Sequence, residues 1–461
     1  IGRLLVLDSF AQSISEFELF RGDRIPAFAV TIVAIYLAAF LYRRNAALAS
    51  AWERDLGHGL IVSANVLTLW ILTAEVFSFY EHRAQESAFS QPQEAAKNAQ
   101  LSAITTMWAT YAIGLVAIAY ARSAPALRWL AIGLSTLVTA KFVLYDTFAI
   151  GTTRSSDIFG ANFYFASGVG VFALLVFAVI MTARYRHQLL PGERHLYSVL
   201  VVAAGLVGVW TLSSEVISFF GNQANLSANQ VDRNNAFNLQ VSAVSVLWAV
   251  YAAIAIGIAY IRRIVALRAF ALGLIGLVAA KFVLYDTGAI SRPDSSILLA
   301  ANFYFASAVA VFATLMFAVF MTDRHRDQRL PQEARLYNGL VVLANAVAIW
   351  GLSVESWRFF TGLEAGGNGD LDSAKHLTLT ILWTIYAIGL ITLGVLRRSR
   401  TLRLAGIGLI LLPIAKLRRL PAGTGLPRRG VRVAGCHPPC PWPRLPEVQR
   451  SLPRILHGRT R

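Results

Sequence analysis

Runs of about 20 apolar residues recur along the chain up to residue 416, separated by short polar or arginine-bearing segments. A helix of about 20 residues covers the roughly 30 Å hydrocarbon layer of a bilayer. Two of the runs, Phe163–Met181 and Phe303–Met321, contain no charged residue, so a folded chain in water would have no polar face to turn outward there. The pattern predicts an all-α fold, a polytopic transmembrane helical bundle of about twelve spans near 26–43, 57–80, 100–121, 126–148, 162–183, 195–220, 238–261, 266–287, 302–322, 336–360, 376–396 and 401–416. The last of these is cut short.

The polar positions between and within these runs repeat, with a period of about 140 residues. Trp70, Trp210 and Trp350 each precede an acid by five residues (Glu75, Glu215, Glu355), and an aromatic follows four later (Phe79, Phe219, Phe359). A second block reads Trp108/Tyr111, Trp248/Tyr251 and Trp383/Tyr386. It continues to Arg128, Arg268 and Arg403, and then to Lys141, Lys281 and Lys416. The first two copies run on through Tyr145-Asp146 and Tyr285-Asp286 to Ala161–Ser167 and Ala301–Ser307. Arg3–Asp8 fits the same frame, so the chain opens inside an earlier copy and an upstream portion is expected. A repeat of this kind marks stacked supersecondary units. The predicted organisation is a remnant at 1–25, transmembrane units at 26–148, 149–288 and 289–416, and a basic tail at 417–461. An even number of helices per unit gives every copy the same orientation, so these are parallel repeats rather than inverted ones.

Charge sets that orientation. Alternate short loops carry Arg43/Arg44/Arg54, Arg122/Arg128, Arg184/Arg186/Arg194, Arg262/Arg263/Arg268, Arg324/Arg326/Arg329/Arg335 and Arg397/Arg398/Arg400/Arg403. The opposite loops hold Arg83, Lys97, Arg154, Arg233, Arg292 and Lys375 among Asn, Gln, Ser and Gly. The positive-inside rule places the arginine-rich loops in the cytoplasm. The formal charge of +17 does not mark a nucleic-acid binder, because residues 417–461 alone hold ten arginines against one acid, Glu447.

Charges inside the apolar runs are the candidate chemistry, since ionisable groups at bilayer depth are costly and mark function or pairing. The chain has five lysines, and three hold one repeat position: Lys141, Lys281 and Lys416. At 1.5 Å per residue they lie about 20 Å from the cytoplasmic arginine of the same helix, in the outer half of the bilayer. Glu75, Glu215 and Glu355 reach a similar depth from the other end. The economical arrangement is a pair between the second and fourth helix of each unit: Glu75–Lys141, Glu215–Lys281 and Glu355–Lys416. Such pairs either fix helix register or line an outward-facing cavity for an ion, proton or polar headgroup. Asp146 and Asp286 are expected near the outer interface. Asn162/Tyr164 and Asn302/Tyr304 begin the next helix there, and Gln100 and Gln240 begin the third. The tryptophans read as packing residues, and Gly133, Gly168, Gly273 and Gly408 as small contacts for close helix approach.

The block from Trp248 and Tyr251 through Arg268 to Lys281 and Asp286 resembles the bacterial membrane family catalogued as domain of unknown function 2339. By repetition the likeness extends over most of residues 1–416. The segment Ala301–Ser307 and its counterpart depart from the family's usual continuation. The resemblance implies a multi-pass inner-membrane protein and supplies no activity.

The pattern stops at Lys416. Eight of the 15 prolines follow it, and Arg418-Arg419 stand where Phe-Val-Leu-Tyr-Asp is due. A frameshift explains a loss of pattern at a single point, and an intact reading frame on resequencing would sink that idea. A genuine basic tail would emerge near the outer half of the bilayer, against the charge rule. Cys436 and Cys440, the only cysteines, flank His437 in a Pro-rich stretch that makes a poor metal site. No cofactor and no metal site is expected, and the bilayer is the one certain partner.

Two functions follow from the charges: a transporter or polar-ligand binder with one outward-facing site per unit, or a structural or envelope-assembly protein. A membrane-embedded transferase using Asp146 and Asp286 as acid–base groups is weaker, because no histidine recurs in the repeat. The residues therefore favour a protein without enzymatic chemistry. The candidate ligand-binding set is Glu75, Lys141, Asp146, Glu215, Lys281, Asp286, Glu355, Lys416, Asn162 and Asn302.

Overall fold

The computed structural model describes residues 24–44, 51–86, 90–150, 159–193, 195–227, 229–290, 302–328, 333–365 and 371–419. The N-terminal copy remnant, Arg154, Arg194, Arg292, Arg329 and the basic tail from residue 420 lie outside these. Two compact units divide the chain, Ile1–Pro413 and Ile414–Arg461. The helical bundle is the first, and the described part of the second is the end of one helix.

Twelve helices follow one another, with no strand among the described residues. They are α1 (Arg24–Arg44), α2 (Ala51–Glu86), α3 (Ser90–Ala121), α4 (Pro125–Lys141), α5 (Phe163–Arg184), α6 (Leu196–Leu226), α7 (Gln230–Ile261), α8 (Val265–Lys281), α9 (Phe303–Arg324), α10 (Glu333–Ala365), α11 (Asp372–Leu396) and α12 (Arg400–Arg419). Two of them change winding at their ends. α4 passes into a π-helical turn, Phe142–Asp146, and a last turn, Thr147–Ile150. α8 does the same through Phe282–Asp286 and Thr287–Ala289.

Among the described residues, eleven helices are long and apolar enough to cross a membrane. The twelfth expected span, α12, is not among them. It carries Pro413 in its interior, and Arg400, Arg403, Arg418 and Arg419 toward its ends. Several helices outrun their expected limits. α2 has 36 residues, about 54 Å at 1.5 Å each, because the backbone goes on satisfying its own hydrogen bonds after the apolar run ends. The outward surface is that of a protein in lipid: large apolar side chains stand free, Leu284 at 81% exposure the extreme case. A soluble monomer does not expose apolar surface on this scale.

The interior is built from matching layers. Ala112, Val138, Phe142 and Val171 are fully buried, and so are the residues 140 positions on, Ala252, Val278, Phe282 and Val311. Phe142 stacks on Tyr164 and Phe282 on Tyr304, with centroids 5.0 Å apart in both cases. The tyrosines are thus core residues, not headgroup anchors. α3 packs on α4 and also on α5, and α7 packs on α8 and also on α9.

Close helix approach depends on different glycines from those expected. A Cβ on Gly133, Gly273 or Gly408 would meet nothing within 4 Å, so these three are not contact glycines. Gly168 is one: a Cβ there would lie 2.4 Å from Thr211 Cγ2. The counterpart pair is Ala308 and Gly351, where a Cβ on Gly351 would lie 3.1 Å from that of Ala308. The small residue changes sides and the pair keeps its helix spacing. Gly205 and Gly208 likewise make room for Phe270 and the Tyr251 hydroxyl.

Candidate functional site

The lysines do not take the partner the sequence suggested. Lys141 Nζ donates to Asp146 Oδ1 at 2.6 Å, to Thr105 Oγ1 at 2.6 Å and to the Leu101 carbonyl at 3.2 Å. Lys281 Nζ donates to Asp286 Oδ1 at 2.6 Å, Ser245 Oγ at 2.7 Å and the Val241 carbonyl at 3.1 Å. The second carboxylate oxygen of each Asp accepts from the same hydroxyl, Thr105 or Ser245, at 2.5 Å. Each network therefore ties the fourth helix of its group, α4 or α8, to the third, α3 or α7.

The π turn makes this possible. On an α-helix, residues five apart point about 140° away from each other at about 100° per residue, and only neighbours three and four apart meet. A turn closed by i→i+5 bonds brings residue i+5 back over residue i. Lys141 and Asp146 bracket one such turn and Lys281 and Asp286 the other. The aspartates are consequently 0% exposed and the lysine side chains 15% exposed, so the aspartates face the interior of the bundle.

The glutamates serve a second cluster. Glu215 Oε1 accepts from the Gly160 amide and Oε2 from Asn162 Nδ2, both at 2.7 Å. Asn162 Oδ1 in turn accepts from the Phe165 amide at 2.8 Å, capping α5. Glu355 Oε1 accepts from Asn302 Nδ2 at 2.6 Å while Asn302 caps α9 through the Phe305 amide at 2.9 Å. A carboxylate at a helix N-terminus also meets the positive end of the backbone dipole. Glu75 occupies the same position on α2 and is equally buried. The side chain of Lys416 lies outside the described residues, and so does the third expected pair.

Other repeated polar residues act as inter-helix ties. The Trp108, Trp248 and Trp383 indoles donate to Thr73, Ser213 and Ser353 at 2.7–2.8 Å. Trp210 and Trp350 donate to Thr147 and Thr287 just beyond the π turns. These last two tryptophans are exposed along one face, so they are tethers in a lipid-facing surface rather than core packing. Gln100 and Gln240 sit well inside α3 and α7 and donate to the Phe77 and Ile217 carbonyls.

The arginine count in the loops hid two buried groups. Arg128 is 3% exposed and donates to Glu193 at 3.0 Å. Arg268 is 2% exposed, donates to the Gln328 carbonyl at 3.1 Å and lies over the Tyr260 ring. The sequence did offer a signal for Thr105 and Ser245, a hydroxyl at the same repeat position in two apolar helices. It offered none for Glu193.

These features define a polytopic helical membrane protein in which charged side chains at bilayer depth are engaged by other residues of the bundle. Residues 295–418 match the model of the family described as predicted membrane protein (DUF2339). The match falls on the third expected unit, whereas the sequence likeness was drawn from the second. No curated protein and no solved structure matches the chain.

Proposed function

We propose that this protein is a membrane scaffold whose recurring charges are architecture, tying helices together within the parallel units 26–148, 149–288 and 289–416. The observation that carries this reading is the closure of the lysine network. Asp286 is fully buried with both oxygens engaged, so an incoming ligand would have to displace bonds the bundle already makes. The arginine-rich loops favour an inner-membrane placement with those loops in the cytoplasm.

A second reading, a polar-ligand binder or transporter open to the outer side, draws on the partial exposure of Lys141 and Lys281. One experiment separates the two. The Lys281→Met/Asp286→Leu double variant removes both charges at little cost, since replacing a whole buried pair by apolar residues is often neutral. For a scaffold, a folded double variant complements a deletion strain. A folded double variant that fails to complement would assign the function to the charged groups themselves.

A further inference from the structure

The third unit carries a groove with an unusual lining. It encloses about 690 Å³ between α10, α11 and α12, with Thr287 at one edge. Trp350, Trp357 and Trp383 form much of its wall, and Leu379, Leu409 and Leu412 continue it with apolar surface. Arg358 is the only charged residue in the lining.

Two departures from the repeat matter most here. Arg358 stands where the other copies have Ser78 and Ser218, and Trp357 where they have Phe77 and Ile217. Both changes fall on the groove. Arg358 is half-buried. It donates to the Thr287 carbonyl at 2.6 Å and lies over the Tyr304 ring at 4.3 Å. A guanidinium has five N–H donors in a planar fork suited to phosphate, and that bond uses one. Glu355, three residues before it, holds Asn302 and is not in the groove lining. From Arg358 to Ala346 the groove follows α10 for twelve residues, about 18 Å of rise, and apart from Ser353 the side chains along it are apolar or indole.

We infer that this groove is a binding site for one anionic phospholipid, with its phosphate on Arg358 and an acyl chain along Trp350, Trp383 and Leu409. Trp357, next to Arg358, suits such an occupant, since an amphipathic indole prefers the headgroup level. A zwitterionic lipid has the same chain but brings a cation toward Arg358, so the site discriminates by headgroup charge.

The test is to add phosphatidylglycerol or phosphatidylcholine to the delipidated full chain in detergent and to count bound lipid by native mass spectrometry. The wild type retains one phosphatidylglycerol in preference to phosphatidylcholine. Arg358→Gln lowers its occupancy about tenfold, the scale of one charge-assisted hydrogen bond, while Arg358→Lys keeps the preference. Leu409→Trp fills the groove without touching the charge, and it loses the lipid too. Should Arg358→Gln fail to fold, Leu409→Trp decides alone. Equal retention of both lipids by the wild type, or phosphatidylglycerol bound by Leu409→Trp as by the wild type, overturns the assignment.

Discussion

Lys281 and Asp286 are five residues apart on one helix and meet at 2.6 Å, because the backbone between them is wound as a π turn. The same relationship joins Lys141 to Asp146. In each case the hydroxyl that bridges the pair comes from a neighbouring helix, so a local irregularity of one helix fixes the position of a second.

Lys281→Met leaves Asp286 buried and without its cation. Breaking a buried pair from one side costs about 3–5 kcal/mol. We expect the variant to unfold at markedly lower denaturant than the wild type in detergent. An unchanged midpoint would show that the pair adds no register.

Glu215 accepts from one backbone amide and one side-chain amide. Glu215→Ala orphans both donors, at about 1–3 kcal/mol for each that stays buried. Glu215→Gln keeps one acceptor and should fall between Ala and the wild type. Hydrogen exchange at the Gly160 amide checks it directly, since protection there should drop in the Ala variant first.

Gly168 and Thr211 exchange roles with Ala308 and Gly351. Gly168→Ala therefore overpacks the contact, costing about 1–3 kcal/mol. Adding Thr211→Gly recreates the small-residue arrangement of the other pair. The double variant should be more stable than Gly168→Ala alone, although Gly within a helix costs about 1 kcal/mol itself. A double-mutant cycle measures the coupling, and simple additivity would count against the compensation.

Orientation can be read with single cysteines once Cys436 and Cys440 are replaced by Ser, since residues 1–416 contain none. In intact cells a membrane-impermeant maleimide should label Asn225→Cys, near the end of α6, and spare Arg263→Cys, in the α7–α8 turn. The reverse pattern would invert the topology and move the lysine networks to the inner leaflet.

Much of the architecture was legible in the chain. Uncharged runs such as Phe163–Met181 leave few structures other than spanning helices, since a backbone in lipid has to bond to itself. The repeat also made Lys141, Lys281, Glu215 and Glu355 visible as special positions, because an ionised group in an apolar run is too costly to be incidental. Their partners were not visible. Pairing by depth, at a regular 1.5 Å per residue, did not bring Asp146 and Asp286 onto the lysines of their own helices, because α4 and α8 change winding at that one place. The tethering of Glu215 to Asn162 and the burial of Arg128 against Glu193 depend on where a following helix lands. The sequence by itself determined where apolar helices run, α12 apart, and which positions carry charge, because transfer energies act residue by residue. Tertiary structure decided which charge meets which, because a partner is chosen by distances of a few ångströms, set by local winding and by helices remote along the chain.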